Sequence, residues 1–305
     1  MAAPVGPARA GLQVLQSGGI PVVVRVDEGS PAEQAGLARG DQLWRIDGRP
    51  TRTLPWSLLT RLLAGQEGRT IELEILDGST FKLQEVTLTL GAGAPAPAAE
   101  LAVLEGGVIH LRLRDLDRID PASDGARLAE ILAAHPGAPL LVDLRGAVAV
   151  DPSLIQRFGG WLLPAGASLE LVARGGSDQR VVAGASPTVE LPAALFVLTD
   201  SSTAGVGEAL AALLVETRHA RSCGRKTYGL AGVPEMIDLQ AGGSVLLTTR
   251  EMRTSGGLAW SGKGIEPDKE LALPLRDGES QTDRLLDAAR RWILSGSEGE
   301  QAEAA

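Results

Sequence analysis

Pro139-Leu140-Leu141-Val142-Asp143-Leu144 and Ala194-Leu195-Phe196-Val197-Leu198-Thr199 are two nearly unbroken apolar runs of strand length. A strand with one face in water alternates polar and apolar residues, so unbroken runs belong to strands covered on both sides by helices. Val108-Ile109-His110-Leu111-Arg112-Leu113 supplies a third strand. The period then changes: Gly125 to Ala134 reads as a helix, and Glu208 to Val215 as a second whose Leu210, Leu213 and Leu214 face inward. Strands alternating with helices make this half of the chain an α/β layered domain.

Ahead of it lies a different texture. Pro21 to Val26 is a β-branched strand closed by Asp27-Glu28-Gly29-Ser30-Pro31. In Ser30-Pro31-Ala32-Glu33, serine can cap a helix, proline suits its first position, and Glu33 can accept from the free amides; Gly36 ends that short helix. Gly40-Asp41 turns into the strand Gln42 to Ile46, and Asp47-Gly48 is a hairpin-type turn. Trp56 to Leu63 is expected to be helical, with Leu58, Leu59, Leu62 and Leu63 on one side, and Thr70 to Ile75 alternates as a half-solvated strand.

The 305 residues and 44% hydrophobic content suit two domains. The boundaries are read as a first domain over 1–90, a linker over 91–100 marked by Gly91-Ala92-Gly93-Ala94-Pro95-Ala96-Pro97, a core over 101–295, and a disordered acidic tail over 296–305. The charge sum, 29 − 38 = −9, is scattered, which argues against a nucleic-acid footprint. One cysteine, Cys223, excludes an intrachain disulfide and a cysteine-based metal site, and the three histidines, His110, His135 and His219, leave little for metal chemistry; no cofactor is expected. No apolar run approaches the roughly 18 residues of a membrane span. The first seven residues lack the apolar core of a signal peptide.

Glu28-Gly29-Ser30-Pro31-Ala32, Ala35-Gly36-Leu37, Gly40-Asp41 and Ile46-Asp47-Gly48 resemble a PDZ domain of the bacterial protease type, across most of residues 8 to 90. The resemblance implies that Ala10-Gly11-Leu12 is a carboxylate-binding loop and that Leu12, Gln13, Val14 and Leu15 form the edge to which a peptide adds as a strand. It also implies a side-chain pocket near Trp56, although that residue could equally cover the domain core. Little chain precedes Ala10, so a first strand there is expected to be short or absent.

The second half resembles the C-terminal processing peptidases, or tail-specific proteases, which are serine peptidases with a serine-lysine dyad on a Clp protease/crotonase-like α/β fold. Leu140 to Arg145, Val197-Leu198-Thr199-Asp200 through Glu208-Ala209-Leu210, and Gly262-Lys263-Gly264-Ile265-Glu266-Pro267-Asp268 carry the match. The family's nucleophile segment runs Ser/Thr-Ala-Ser-Ala-Ser-Glu, where this chain has Thr203-Ala204-Gly205-Val206-Gly207-Glu208. The attacking position falls on Gly205. The lysine position falls on Leu230, after Thr227-Tyr228-Gly229, and the position of an orienting glutamine on Pro234. The family's Asn-Asn-Pro-Gly-Gly oxyanion loop is replaced by Gly146-Ala147-Val148-Ala149-Val150.

Acyl transfer needs a nucleophile, a base and donors for the oxyanion. Glycine cannot attack, and leucine has the stem's bulk without a nitrogen. The resemblance therefore implies a catalytically inactive homologue, a peptide-binding scaffold, adaptor or regulator of proteolysis. Its partners would be protein or peptide C-termini, with an active peptidase or a second copy of the chain as further candidates. The rival reading is an active endopeptidase with a displaced dyad, Ser201 and Lys226, whose spacing of 226 − 201 = 25 equals 230 − 205 = 25. On the inactive reading, Ser201-Ser202-Thr203 caps the helix that follows, Lys226 is a solvated strand end, and Cys223 is core rather than nucleophile. The family implies a periplasmic setting, which the absence of a visible export signal leaves undecided.

Overall fold

The computed structural model describes residues 8–17, 20–54, 59, 62–91, 97–173, 175, 177–185, 188–239, 243–271 and 283–303. The chain forms two compact units, Met1–Ala96 and Pro97–Ala305.

In the first unit the strands are β1 (Ala8–Arg9), β2 (Leu12–Ser17), β3 (Ile20–Val26), β4 (Gln42–Ile46), β5 (Arg49–Pro50), β6 (Ala64–Gly65), β7 (Thr70–Leu76) and β8 (Leu83–Thr89). The main sheet runs β2-β3-β4-β7-β8, β5 hooks onto β4, and β1 pairs with β6. A first strand thus does precede the Ala10 loop, two residues long. Helix α1 (Pro31–Gln34) starts as its sequence dictates: Glu33 N donates to Ser30 Oγ at 3.2 Å, and Gly29 N donates to the Glu33 carboxylate at 2.6 Å. Asp47 and Gly48 both take positive φ, 48° and 72°, which matches the twist a tight β4–β5 hairpin needs. Ile71, Leu73 and Ile75 of β7 join Leu43, Ile46, Leu59 and Leu88 in one core. Trp56 and Leu58 lie outside the described residues.

The second unit is built on a six-stranded sheet in the order β20-β17-β15-β11-β10-β9, from β9 (Ala99–Val103), β10 (Ile109–Leu113), β11 (Leu140–Asp143), β15 (Leu195–Thr199), β17 (Arg221–Gly224) and β20 (Lys269–Glu270). All neighbours are parallel except β9 against β10. Alternate side chains explain the unbroken apolar runs. Ile109, Leu111, Leu140, Val142, Leu195 and Val197 enter one core, with Leu128 of α2 (Pro121–Ala134) and Leu210, Leu213 and Leu214 of a later helix. Leu141, Phe196, Leu198 and Cys223 enter another, against Leu285, Ala289 and Ile293 of the C-terminal helix. Between these lie β12 (Val148–Ala149), α3 (Ile155–Phe158), β13 (Ser168–Ala173), β14 (Gln179–Val182), β16 (Ala204–Gly205), α4 (Val206–Arg218), β18 (Gly232–Asp238) and β19 (Ser244–Thr254). A second sheet runs β14-β13-β19-β18.

Three expectations shift. Helix α2 begins at Pro121 rather than Gly125, because Asp120 caps it by accepting from Ala122 N at 3.2 Å and proline fits its first turn. Helix α4 runs from Val206 to Arg218, with His219 in the left-handed conformation at its end (φ 54°). Of the tail expected to be disordered over 296–305, residues 296–303 are instead helical, the end of α5 (Arg284–Glu303), and 304–305 lie outside the described residues.

Candidate functional site

The entry to α4 collects the positions that the sequence reading singles out. Gly205 has φ 63° and ψ −120°, a conformation nearly reserved for glycine. A Cβ placed on it would sit 3.7 Å from Leu230 Cδ2 and would overlap the carbonyl oxygen of Ala149. Positions 205 and 230 therefore face each other across the start of the helix, with neither a hydroxyl nor an amine between them. Beside them, β12 pairs in parallel with β16, Val148 opposite Ala204 and Ala149 opposite Gly205, and Ala204 N donates to Ala147 O at 3.1 Å. Pro234 lies on β18, opposite Thr248 of β19.

Glu208 holds this corner together. Its side chain is fully buried. Its Oε1 accepts from Thr227 Oγ1 at 2.5 Å and Gly229 N at 2.7 Å, and its Oε2 from Leu230 N at 2.7 Å and Gly205 N at 3.0 Å. Burial pushes its carboxyl above the ordinary value, against the pull of these four donors. Thr227 Oγ1 also accepts from Ile265 N at 2.7 Å, which ties in the Gly262–Asp268 stretch. In the sequence Glu208 anchors the register of the family resemblance, and the one sign of its structural role is an acid at the third position of α4, ahead of the apolar run Ala209 to Val215.

The expected Ser/Thr cap is corrected. Glu208 takes the Gly205 amide, while Thr203 Oγ1 donates to Leu144 O at 2.9 Å and accepts from Asp200 N at 3.1 Å. Ser202 Oγ donates to Asp200 Oδ1 at 2.6 Å. Of the displaced pair, Ser201 is exposed. Lys226 Nζ is a surface ammonium 2.7 Å from Glu266 Oε1. Cys223 is fully buried, and burial pushes its thiol up to about 12.

In the first unit, Ala10 O accepts from Ala32 N at 2.9 Å and Gly11 O from Asp27 N at 2.8 Å. In a trans peptide N–H points opposite to C=O, so the amides of Gly11 and Leu12 are turned away from α1 and β3. Gly11 has φ 72°, and a Cβ there would overlap that of Ser30. The loop lies tight on the helix cap and only glycine fits. β2 is the outer strand of its sheet, with Val14 buried and Leu12 and Gln13 half-buried.

Residues 22–77 match the PDZ domain and residues 159–271 match peptidase family S41. The chain carries a PDZ domain and a family S41 peptidase domain. It is 30% identical over 253 residues to a carboxyl-terminal-processing protease of Synechocystis sp., covering 81% of this chain and 58% of that protein. It is 24% identical over 287 residues to the chloroplastic C-terminal processing peptidase of Tetradesmus obliquus, covering 86% and 59% respectively. The chain thus spans less than two thirds of the length of these relatives. In fold it is similar to a photosystem II D1 C-terminal processing protease, with a TM-score of 0.75 at 22% identity over 90% of this chain and 75% of the other. Among the described residues no helix is long and apolar enough to cross a membrane, and no group of side chains could hold a metal ion.

The unit that holds the S41 domain also contains a buried charged cluster. Asp143 receives Arg145 Nε at 2.8 Å and Nη2 at 2.6 Å, and lies 3.0 Å from His110 Nε2. The same guanidinium reaches Asp283, just ahead of α5, through Nη1 at 2.7 Å and Nη2 at 2.6 Å. Burial alone would push Asp143 up, but the charge and hydrogen bonds of Arg145, helped by His110, outweigh it and hold the carboxyl far below the carboxylate range. This cluster ties the end of β11 to the start of the C-terminal helix.

Proposed function

We propose that this chain is a catalytically inactive homologue of the C-terminal processing peptidases that binds free protein or peptide C-termini through its PDZ domain and acts as a scaffold, adaptor or regulator of proteolysis. The observation that carries the reading is the juxtaposition of Gly205 and Leu230. The two positions that the family resemblance assigns to nucleophile and base are neighbours, yet the groups proton transfer and acyl transfer need are absent from both. On the binding side, the outward amides of Gly11 and Leu12 beside the outer strand β2 support strand addition, with the carboxylate held at Ala10-Gly11-Leu12.

Purified protein should leave casein and a substrate with an unfolded C-terminus intact, while peptides with free carboxylates bind and their amidated forms do not. Cleavage that disappears in Ser201→Ala would replace this reading with a displaced Ser201–Lys226 dyad. Failure of every carboxylate peptide to bind more tightly than the millimolar range of non-specific contacts would remove the peptide-binding half.

A further inference from the structure

We infer that the backbone of residues 147–149 occupies the space a nucleophile's side chain at position 205 would need, so that returning serine and lysine to positions 205 and 230 does not return a catalytic site. This deepens the proposed loss of catalysis and rests on it. A chain that had merely lost two side chains would keep an open place for them; here that place is filled.

Two glycines carry the argument. A Cβ on Gly205 would overlap Ala149 O and lie 3.1 Å from that residue's carbonyl carbon. A Cβ on Gly207 would overlap Ala147 O and lie 3.3 Å from Ala147 Cβ. The resembled pattern has serine at both positions, and both are glycine where β12 presses on the start of α4. The approach belongs to the core rather than to a loose loop. Ala147, Val148 and Ala149 are all buried, Ala147 N donates to Leu144 O at 3.0 Å, and Ala204 N donates to Ala147 O at 3.1 Å. Glu208 holds the Gly205 amide from the other side.

The chemistry has the wrong sign as well as the wrong shape. A hydrolytic site must aim N–H donors at the developing oxyanion. Here the group aimed at position 205 is a carbonyl oxygen, which repels negative charge. A side chain at 205 or 207 could enter only by prising β12 off β16.

Four variants and the wild type test this. Gly205→Ser/Leu230→Lys should remain unlabelled by a fluorophosphonate probe and inert on casein. Gly207→Ser should lower Tm by about 5 °C or more, since an overlap with buried backbone has nowhere to relax. Gly257 has φ 92° with open space around it, so Gly257→Ser reports the cost of left-handed backbone alone and should lose at most half as much. Gly205→Ser alone should lose more than Gly257→Ser, having overlap and left-handed strain together. In the wild type, hydrogen exchange at the amides of Ala204 and Gly205 should be as slow as in the middle of α4, a measurement that needs no variant to fold. Labelling of the double variant beside an inert wild type would overturn the inference and leave the proposed function standing. Rapid exchange at Ala204 and Gly205, or a Gly207→Ser loss no greater than that of Gly257→Ser, would also overturn it. Labelling or hydrolysis by the wild type would instead overturn the proposed function.

Discussion

Replacing Glu208 by glutamine changes one atom of a buried carboxylate that accepts four hydrogen bonds, two on each oxygen. Glutamine has one accepting oxygen, so its amide nitrogen must face two groups that are donors. The least costly placement keeps oxygen toward Leu230 N and Gly205 N and turns nitrogen toward Thr227 Oγ1 and Gly229 N. The hydroxyl can rotate to accept, but the Gly229 amide cannot. That leaves one buried N–H unpaired, about 1–3 kcal/mol, and weakens the two retained bonds from charged to neutral strength, about 1 kcal/mol each. Relief of the carboxylate's burial penalty, visible in its raised pKa, offsets part of this. The expected net loss is about 2–3 kcal/mol. Urea unfolding at neutral pH, with the slope unchanged between wild type and variant, measures it. Glu208→Ala should lose more, about 4 kcal/mol, because all four donors go unpaired. A loss under about 0.5 kcal/mol in Glu208→Gln would mean that the carboxylate does not hold the corner, and the account of α4's entry would fail.

Acid should weaken the fold through Asp143: its carboxyl is held below the ordinary value when folded, so the stability it contributes is present above pH ~4 and is lost as the pH falls further, as an unfolding series from pH 7 to pH 2 would show. Arg145→Met should cost about 3–5 kcal/mol and make the loss of stability in acid smaller, because Asp143 then loses its guanidinium partner and keeps His110, 3.0 Å away, against its burial; an acid dependence as steep as that of the wild type would contradict this. Cys223 should resist a disulfide reagent at pH 8 in native protein and react promptly in denaturant; equal rates would contradict its burial and its raised pKa of about 12. Gly11→Ala should weaken or abolish capture of carboxylate peptides and lower Tm, since its Cβ would overlap Ser30; binding unchanged in calorimetry would move the site elsewhere.

Much of the fold was readable because its signals are local. The runs around Leu141 and Val197 are apolar on both faces, and Ser30-Pro31-Ala32-Glu33 carries its own cap, so neighbours in sequence were enough. Helix α2 starts four residues earlier than its periodicity suggests, although Asp120-Pro121 is itself a start signal that the apolar pattern masked. The tail was misread because its glycines and acids suit disorder by composition, whereas α5 is anchored upstream by Leu285, Ala289 and Ile293. The site was legible only as positions. Glu208's partners at Thr227, Gly229 and Leu230 lie about twenty residues on, and Ala147 and Ala149 some sixty residues back, so no window of sequence displays the corner. Serines and threonines before α4 suggested caps, but a buried acid one turn inside the helix outcompeted them for the Gly205 amide.

The link from Arg145 to Asp283 joins residues 138 apart in the chain, at the point where α5 begins. Such a bridge works as a latch at the start of α5. Protonation of Asp283, whose carboxyl burial raises but Arg145 more than offsets, opens the latch from the outside. What lies beneath is the face bearing Leu141, Phe196 and Leu198. Partial opening in acid would therefore present a contiguous apolar sheet surface while the rest of the unit stays folded, and the first sign of acid stress in this protein should be self-association rather than unfolding.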